Sequence, residues 1–262
     1  MAKKEQDGQI QHMEIIADLH THTLASTHAF NTVTEMARAA YEMGHKAIAI
    51  TDHGPQMPDS PHIWHFYNLM RLPQKIEGVY LLRGMEANVL NTRGDLDFTR
   101  QELERIRPDW VIASIHSDTL EPGSYSQKDF DRLWMNIAEN PWVDMIGHSE
   151  TNRYRYDYDA LAHIFAKNGK VVELNANSVN VRPGSEENMK ELALACKRAG
   201  ARVAVNSDGH SIYHLGRVEH ILHLLHEIDF PQELVVNASM KALVQTLKEH
   251  KKPVAAIMEG LA

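Results

Sequence analysis

Apolar residues come in short β-branched runs separated by amphipathic stretches, and the alternation continues from one end of the chain to the other. Seven runs read as strands: about Ile15–His20, Lys46–Thr51, Tyr80–Glu86, Trp110–His116, Val143–His148, Lys170–Asn175 and Arg202–Asn206. Between them the apolar period lengthens to that of a helix. Val33–Met43 has Thr32 or Thr34 as cap and Gly44 as stop, and Thr99–Ile106, Gln127–Asn140, Tyr158–Asn168 and Glu186–Ala199 follow. Leu215–Glu227 and Ser239–His250 read as helices after the last strand. Runs such as Ala47-Ile48-Ala49-Ile50 are apolar throughout, which suits a parallel sheet covered on both faces. Strand and helix alternate without a linker or repeat, so one α/β barrel is expected over residues 14–262 after a polar extension at 1–13.

The ends of the strands carry the chemistry. Six of the seven run into a metal-ligand side chain at or just past the C-terminal end, the face on which parallel barrels build their sites. His20 and His22 stand two apart on a strand and so share a side. Asp18 shares it too, as a hydrogen-bond partner for a ligand histidine or as a strand-end cap. His53 sits in the sharp Thr51-Asp52-His53-Gly54-Pro55 turn, which by itself reads equally as an Asx-type turn. Glu86 ends an apolar strand, where burial demands a cation or a salt bridge to Arg83. His116 and His148 close two further strands, and Asp208-Gly209-His210 closes the last. With His28 these make nine side chains, a set rich enough for a multinuclear centre. The sixth strand ends instead in Glu173-Leu174-Asn175, polar groups suited to backing the ligands or touching substrate.

Composition narrows the setting. At 262 residues, with 43% hydrophobic and 24% charged residues, the chain has the balance of one soluble domain with a sizeable core. A net charge of −8 argues against a nucleic-acid partner, though not against a small anionic substrate. No run approaches the ~20 apolar residues that cross a bilayer. The polar N-terminus and the lone Cys196 point to the cytoplasm. The sequence sets no oligomeric state.

The series Asp18-Leu19-His20-Thr21-His22, Ser26-Thr27-His28, Thr51-Asp52-His53-Gly54-Pro55, Gly84-Met85-Glu86-Ala87-Asn88 and Asn206-Ser207-Asp208-Gly209-His210 resembles the PHP superfamily, named for polymerase and histidinol phosphatase. The stretches Asp59-Ser60-Pro61-His62-Ile63-Trp64-His65-Phe66 and Gly184-Ser185-Glu186-Glu187-Asn188 resemble its single-domain bacterial phosphatases of the YcdX type. That resemblance, which runs over about residues 14–255, implies a distorted seven-stranded (β/α) barrel with three divalent metals, zinc before manganese or iron. It implies that His20, His22, Glu86 and Asp208 hold one metal and that His28, His53 and His210 hold a second. Glu86, His116 and His148 would hold the third, with Glu86 bridging. The family's usual proline and glycine after the fifth-strand histidine are Ser149-Glu150 here, and Ser117-Asp118 follow His116. Those loops meet substrate, so the departures bear on substrate identity.

The expected activity is hydrolysis of a small phosphate monoester by attack of a metal-bound hydroxide, with no protein nucleophile. A phosphodiesterase or nuclease using the same centre is the alternative, and a non-catalytic metal-binding regulatory protein is another. An amidohydrolase would leave His28, His53 and His210 without a role. Arg182, beside Pro183-Gly184, is a candidate phosphate clamp. His65, flanking Trp64 in a loop after strand two, is a second candidate substrate contact, and it and Asp118 are the candidate proton donors. His220, His223 and His226 are spaced by three and read as a solvated helix face.

Overall fold

The computed structural model describes residues 13–261. The expected extension therefore lies outside the described residues except for Met13, which packs partly buried against the core. The strands are β1 (Ala17–Thr21), β2 (Ala47–Ile50), β3 (Lys75–Ile76), β4 (Val79–Asn88), β5 (Trp110–Ser114), β6 (Met145–Ile146), β7 (Val171–Asn175) and β8 (Val203–Asn206). Seven are parallel neighbours in the order β1-β2-β4-β5-β6-β7-β8, one for each apolar run of the sequence. The two-residue β3 pairs antiparallel with the start of β4 and is too short to leave a periodic signal.

β1 and β8 approach each other without a regular ladder, and two devices close the gap. At the C-terminal ends, His22 N donates to Gly209 O at 2.9 Å and Gly209 N to His20 O at 3.3 Å. Near the other end the buried Asn237 reaches between the two strands. Its Nδ2 donates to Ala17 O at 2.8 Å and Val205 O at 2.7 Å, while its Oδ1 accepts from Val205 N at 3.1 Å. The result is a nearly closed barrel in which one side chain satisfies backbone groups that an eighth strand would otherwise pair.

Helices surround the strands: α1 (Val33–Glu42), α2 (Ile63–Asn68), α3 (Arg100–Ile106), α4 (Gln127–Glu139), α5 (Tyr158–Lys167), α6 (Ser178–Val181), α7 (Ser185–Ala199), α8 (Glu219–Glu227), α9 (Met240–Glu249) and α10 (Val254–Met258). Capping boxes start three of them, Thr32 with Glu35, Thr99 with Glu102 and Ser126 with Asp129. The expected helix over Leu215–Glu227 begins four residues late, because Gly216 takes φ 67° and breaks the first turn. α2 forms where a loop was expected; its own His62 caps it by accepting from Trp64 N. Among the described residues no helix is long and apolar enough to cross a membrane.

Leu82 and Glu86 share one side of β4, as Val171 and Glu173 share one side of β7 and Ala204 and Asn206 one side of β8. Leu82, Val171 and Ala204 belong to a single apolar cluster with Ala49, Ile112 and Met145, completed by Leu243, Leu247 and Val254 of α9 and α10. The apolar side chains thus fill the barrel beneath, and the polar ones emerge toward the C-terminal ends above.

Candidate metal centre

All nine strand-end residues converge there. Glu86, fully buried, is the centre of the group. Its Oε2 lies 3.3 Å from His20 Nε2, 3.5 Å from His22 Nε2 and 3.2 Å from His53 Nε2. Its Oε1 lies 3.5 Å from His116 Nε2 and 3.0 Å from His148 Nε2. Asp208 Oδ1 stands 3.5 Å from His20 Nε2 and 3.2 Å from His22 Nε2. The rings of His28, His53 and His210 pack within 5.7 Å of one another. Two members hold their backbone in the left-handed region, His148 at φ 26° and Asp208 at φ 52°. Strain of this kind concentrates where geometry serves a site.

The outer ring nitrogens are tied back. His20 Nδ1 meets Glu173 Oε1 at 2.7 Å, and His116 Nδ1 meets Asn88 Oδ1 at 2.7 Å. His53 Nδ1 and His28 Nδ1 share Asp59, at 3.0 and 2.8 Å from its Oδ2. His210 Nδ1 donates to Asp208 O at 2.9 Å, and His22 Nδ1 lies 3.5 Å from Ser26 Oγ. With Nδ1 donating, the Nε2 lone pair is free, and in His20, His22, His53 and His116 it faces the carboxylates. His20 Nε2, His22 Nε2, His210 Nε2 and Glu86 Oε2 are buried and have no hydrogen-bond partner among the described residues. Acceptors facing acceptors at such range repel unless a cation stands between them. Two ligand atoms on one tetrahedral ion at about 2.1 Å are roughly 3.4 Å apart, the spacing seen here. The residues fit a divalent metal cluster.

Charge follows the same division. Burial opposes protonation of His20, yet Glu173 and Glu86 hold its imidazole well above the usual range. Burial opposes it in His53 too, but Asp59 and Glu86 push the value to about 10. Burial holds His22, His116 and His148 low, with His53 adding to it at His22 and Arg182 at His148, and it brings His210 to about 3. Against the cost of burial, the surrounding imidazoles keep Glu86 and Asp208 well below the usual carboxylate range. Ionised carboxylates and neutral imidazoles are the forms that bind metals, so His22, His116, His148 and His210 stand ready, while at His20 and His53 a cation would displace the proton that the carboxylates otherwise hold there.

Several supporting residues differ from the sequence reading. Asp18 backs no histidine ring; it accepts from Ser207 N and Oγ and ties β1 to β8, the strand-end role. Arg83 does not reach Glu86, since Asp109 Oδ2 takes its Nε at 2.8 Å. His65 stands on α2 rather than in a loop, its Nε2 turned inward to 3.3 Å from Asp52 Oδ2. Asp52 anchors the loop after β1, accepting from Thr23 N at 2.8 Å and Ser26 Oγ at 2.9 Å. Arg182 lies beside the cup, donating to Ser178 Oγ at 3.1 Å and standing 3.8 Å from Asp208 Oδ2. His220, His223 and His226 lie on α8, outside the groups with ligand spacing among the described residues. Asp59 and Asn88 were not singled out as backing groups, although both lie in the runs that carried the resemblance.

The sequence profile of the PHP domain matches residues 18–177. A probable phosphatase of Acetivibrio thermocellus is 40% identical over 240 residues, covering 92% of this chain and 98% of that protein. A probable phosphatase of Caldanaerobacter subterraneus subsp. tengcongensis is 41% identical over 241 residues, covering 92% and 94%. Among solved structures, the histidinol phosphate phosphatase of Lactococcus lactis, complexed with zinc, L-histidinol and phosphate, shares the fold. Its TM-score is 0.59 at 18% identity, over 85% of this chain and 93% of that one.

Proposed function

The chain belongs to the PHP domain family and is a phosphatase, and we propose that it hydrolyses small phosphate monoesters with three divalent cations, zinc before manganese or iron. His20, His22, Glu86 and Asp208 would hold one, His28, His53 and His210 a second, and Glu86, His116 and His148 the third. The observation that carries this reading is the ring of five imidazole nitrogens 3.0–3.5 Å from the Glu86 oxygens, in which His20 Nε2, His22 Nε2 and Glu86 Oε2 are buried without a hydrogen-bond partner among the described residues. Bound there, the cations would acidify a coordinated water and neutralise the phosphoryl oxygens.

The protein's own part is orientation. Glu173, Asn88 and Asp59 fix the ring tautomers that aim Nε2 inward, so the site is set before substrate arrives. Arg182, at the edge of the cup, offers its guanidinium to a phosphoryl oxygen, and Ser178 holds it there. Two carboxylates among nine ligands leave the loaded cup cationic, which favours a dianionic monoester over a singly charged diester. The buried Cys196 fits a reducing compartment such as the cytoplasm.

The test is metal content and turnover together. About three zinc or manganese ions per chain are expected, with chelation abolishing hydrolysis of p-nitrophenyl phosphate and leaving bis(p-nitrophenyl) phosphate a poor substrate. Glu86→Ala should remove at least two ions at once. Full metal content in that variant would refute the bridging role, and one ion or none in the parent would refute the trinuclear centre.

A further inference from the structure

Two cavities adjoin along the mouth of the barrel. One, of ≈ 410 Å³, is lined by His116, Arg182 and Pro183 and opens beside the cup. The other, of ≈ 440 Å³, lies against Pro122, Tyr125 and Phe130. Ser117, Arg153 and Tyr154 line both. The two therefore form one groove leading away from the cup, with Arg153 at its waist.

Arg153 differs from the arginines around it. Arg155 pairs with Glu191, Arg132 with Asp129 and Arg93 with Asp95. Arg153 is exposed and in no ion pair among the described residues. Its guanidinium carbon lies 5.6 Å over the ring of Tyr154, a placement that steadies the head group and leaves its donors unused. A substrate whose phosphate sits at the cup can extend its alcohol portion into this groove, whose nearer cavity both Arg182 and Arg153 line.

We propose that the groove selects phosphate monoesters whose alcohol carries a second anionic group, a phosphate or a carboxylate, which Arg153 binds. The inference rests on the phosphatase reading above and adds a substrate class to it. Asp118, which lines the cavity nearer the cup and accepts from Ser117 Oγ at 3.4 Å, is the opposing charge. It makes a singly charged or cationic alcohol the competing ligand, so the two chemistries can be told apart.

The probes are two matched pairs: fructose 1,6-bisphosphate against fructose 6-phosphate, and 2-phosphoglycerate against glycerol 2-phosphate. The metal-loaded protein should favour the doubly anionic member of each pair, mainly through KM. Arg153→Ala should cut that preference by roughly ten- to a hundred-fold, the span of a charge-assisted hydrogen bond, and Arg153→Lys should restore part of it. Calorimetric binding of fructose 1,6-bisphosphate should weaken in parallel, a readout independent of turnover. Hydrolysis of all four compounds with no preference, or with a preference that Arg153→Ala leaves intact, overturns the inference and leaves the phosphatase reading standing. Selective binding lost in Arg153→Ala, without hydrolysis of any probe, upholds the groove and overturns the phosphatase reading. A preference for phosphoethanolamine that Asp118→Asn abolishes shows a groove reading cations, and the inference falls.

Discussion

Glu173 shows how much of a metal site lies outside its ligands. The carboxylate is fully buried, and both its oxygens are committed: Oε1 takes His20 Nδ1 at 2.7 Å and Oε2 takes His148 N at 2.8 Å. It therefore fixes one imidazole's tautomer and the position of another's backbone. Glu173→Gln keeps the shape but offers only one acceptor oxygen, so His20 or His148 loses its hold. Metal affinity should fall by roughly ten- to a hundred-fold, the usual cost of losing such a partner. Competition against a chromogenic chelator measures it, and an unchanged affinity would remove Glu173 from the scheme. The ligands themselves were legible because each ends a strand, a position visible along the chain. Glu173 was visible as a backing group at the end of the sixth strand, but which ligand each backing residue serves was not. Glu173 stands 153 positions from His20 and Asn88 stands 28 from His116, and nothing local in the sequence joins either pair.

At the scale of elements, the strands were legible for a physical reason: both faces of a parallel sheet are covered, so its strands are apolar throughout. β4 extends two residues beyond the expected Glu86 because its end pairs with β5 as far as Ser114. β6 is shorter than its apolar run, ending before His148 leaves the extended region at φ 26°. Barrel closure had no periodic signature at all. Asn237 is one polar residue in the run Val235-Val236-Asn237-Ala238, and in isolation it reads as a loop residue. In the fold it serves Ala17 O, Val205 O and Val205 N together. Asn237→Ala strands three buried backbone groups, each costing about 1–3 kcal/mol when unpaired. A loss of at least about 3 kcal/mol is expected, readable in a urea titration of the metal-free protein. A loss under 1 kcal/mol would mean that the gap between β1 and β8 closes without it.

Across the whole molecule the two ends of the barrel do different work. The C-terminal end gathers the histidines, while the other end is held by pairs such as Asp144 with Lys252 at 2.7 Å and with His250 at 2.9 Å. One histidine there works against the fold. His45, between α1 and β2, is buried with neither ring nitrogen hydrogen-bonded among the described residues, and burial, with Lys46 nearby, pushes its pKa down to about 4. An unfolded histidine titrates near 6.5. Between pH 6.5 and 4 the unfolded chain thus holds a proton that the folded chain excludes, so stability falls as pH falls through that window. Above pH 6.5 both states are neutral and the effect vanishes. At pH 5 the loss amounts to about 2 kcal/mol, or roughly 4–8 °C in Tm for a domain of this size. Loss of metal from the cup in acid has the same sign, so the measurement belongs on chelated protein. His45→Leu should raise Tm by that margin more at pH 5 than at pH 8. An equal shift at both pH values would mean that His45 is charged in the fold, and the acid sensitivity would then belong to the histidines of the cup.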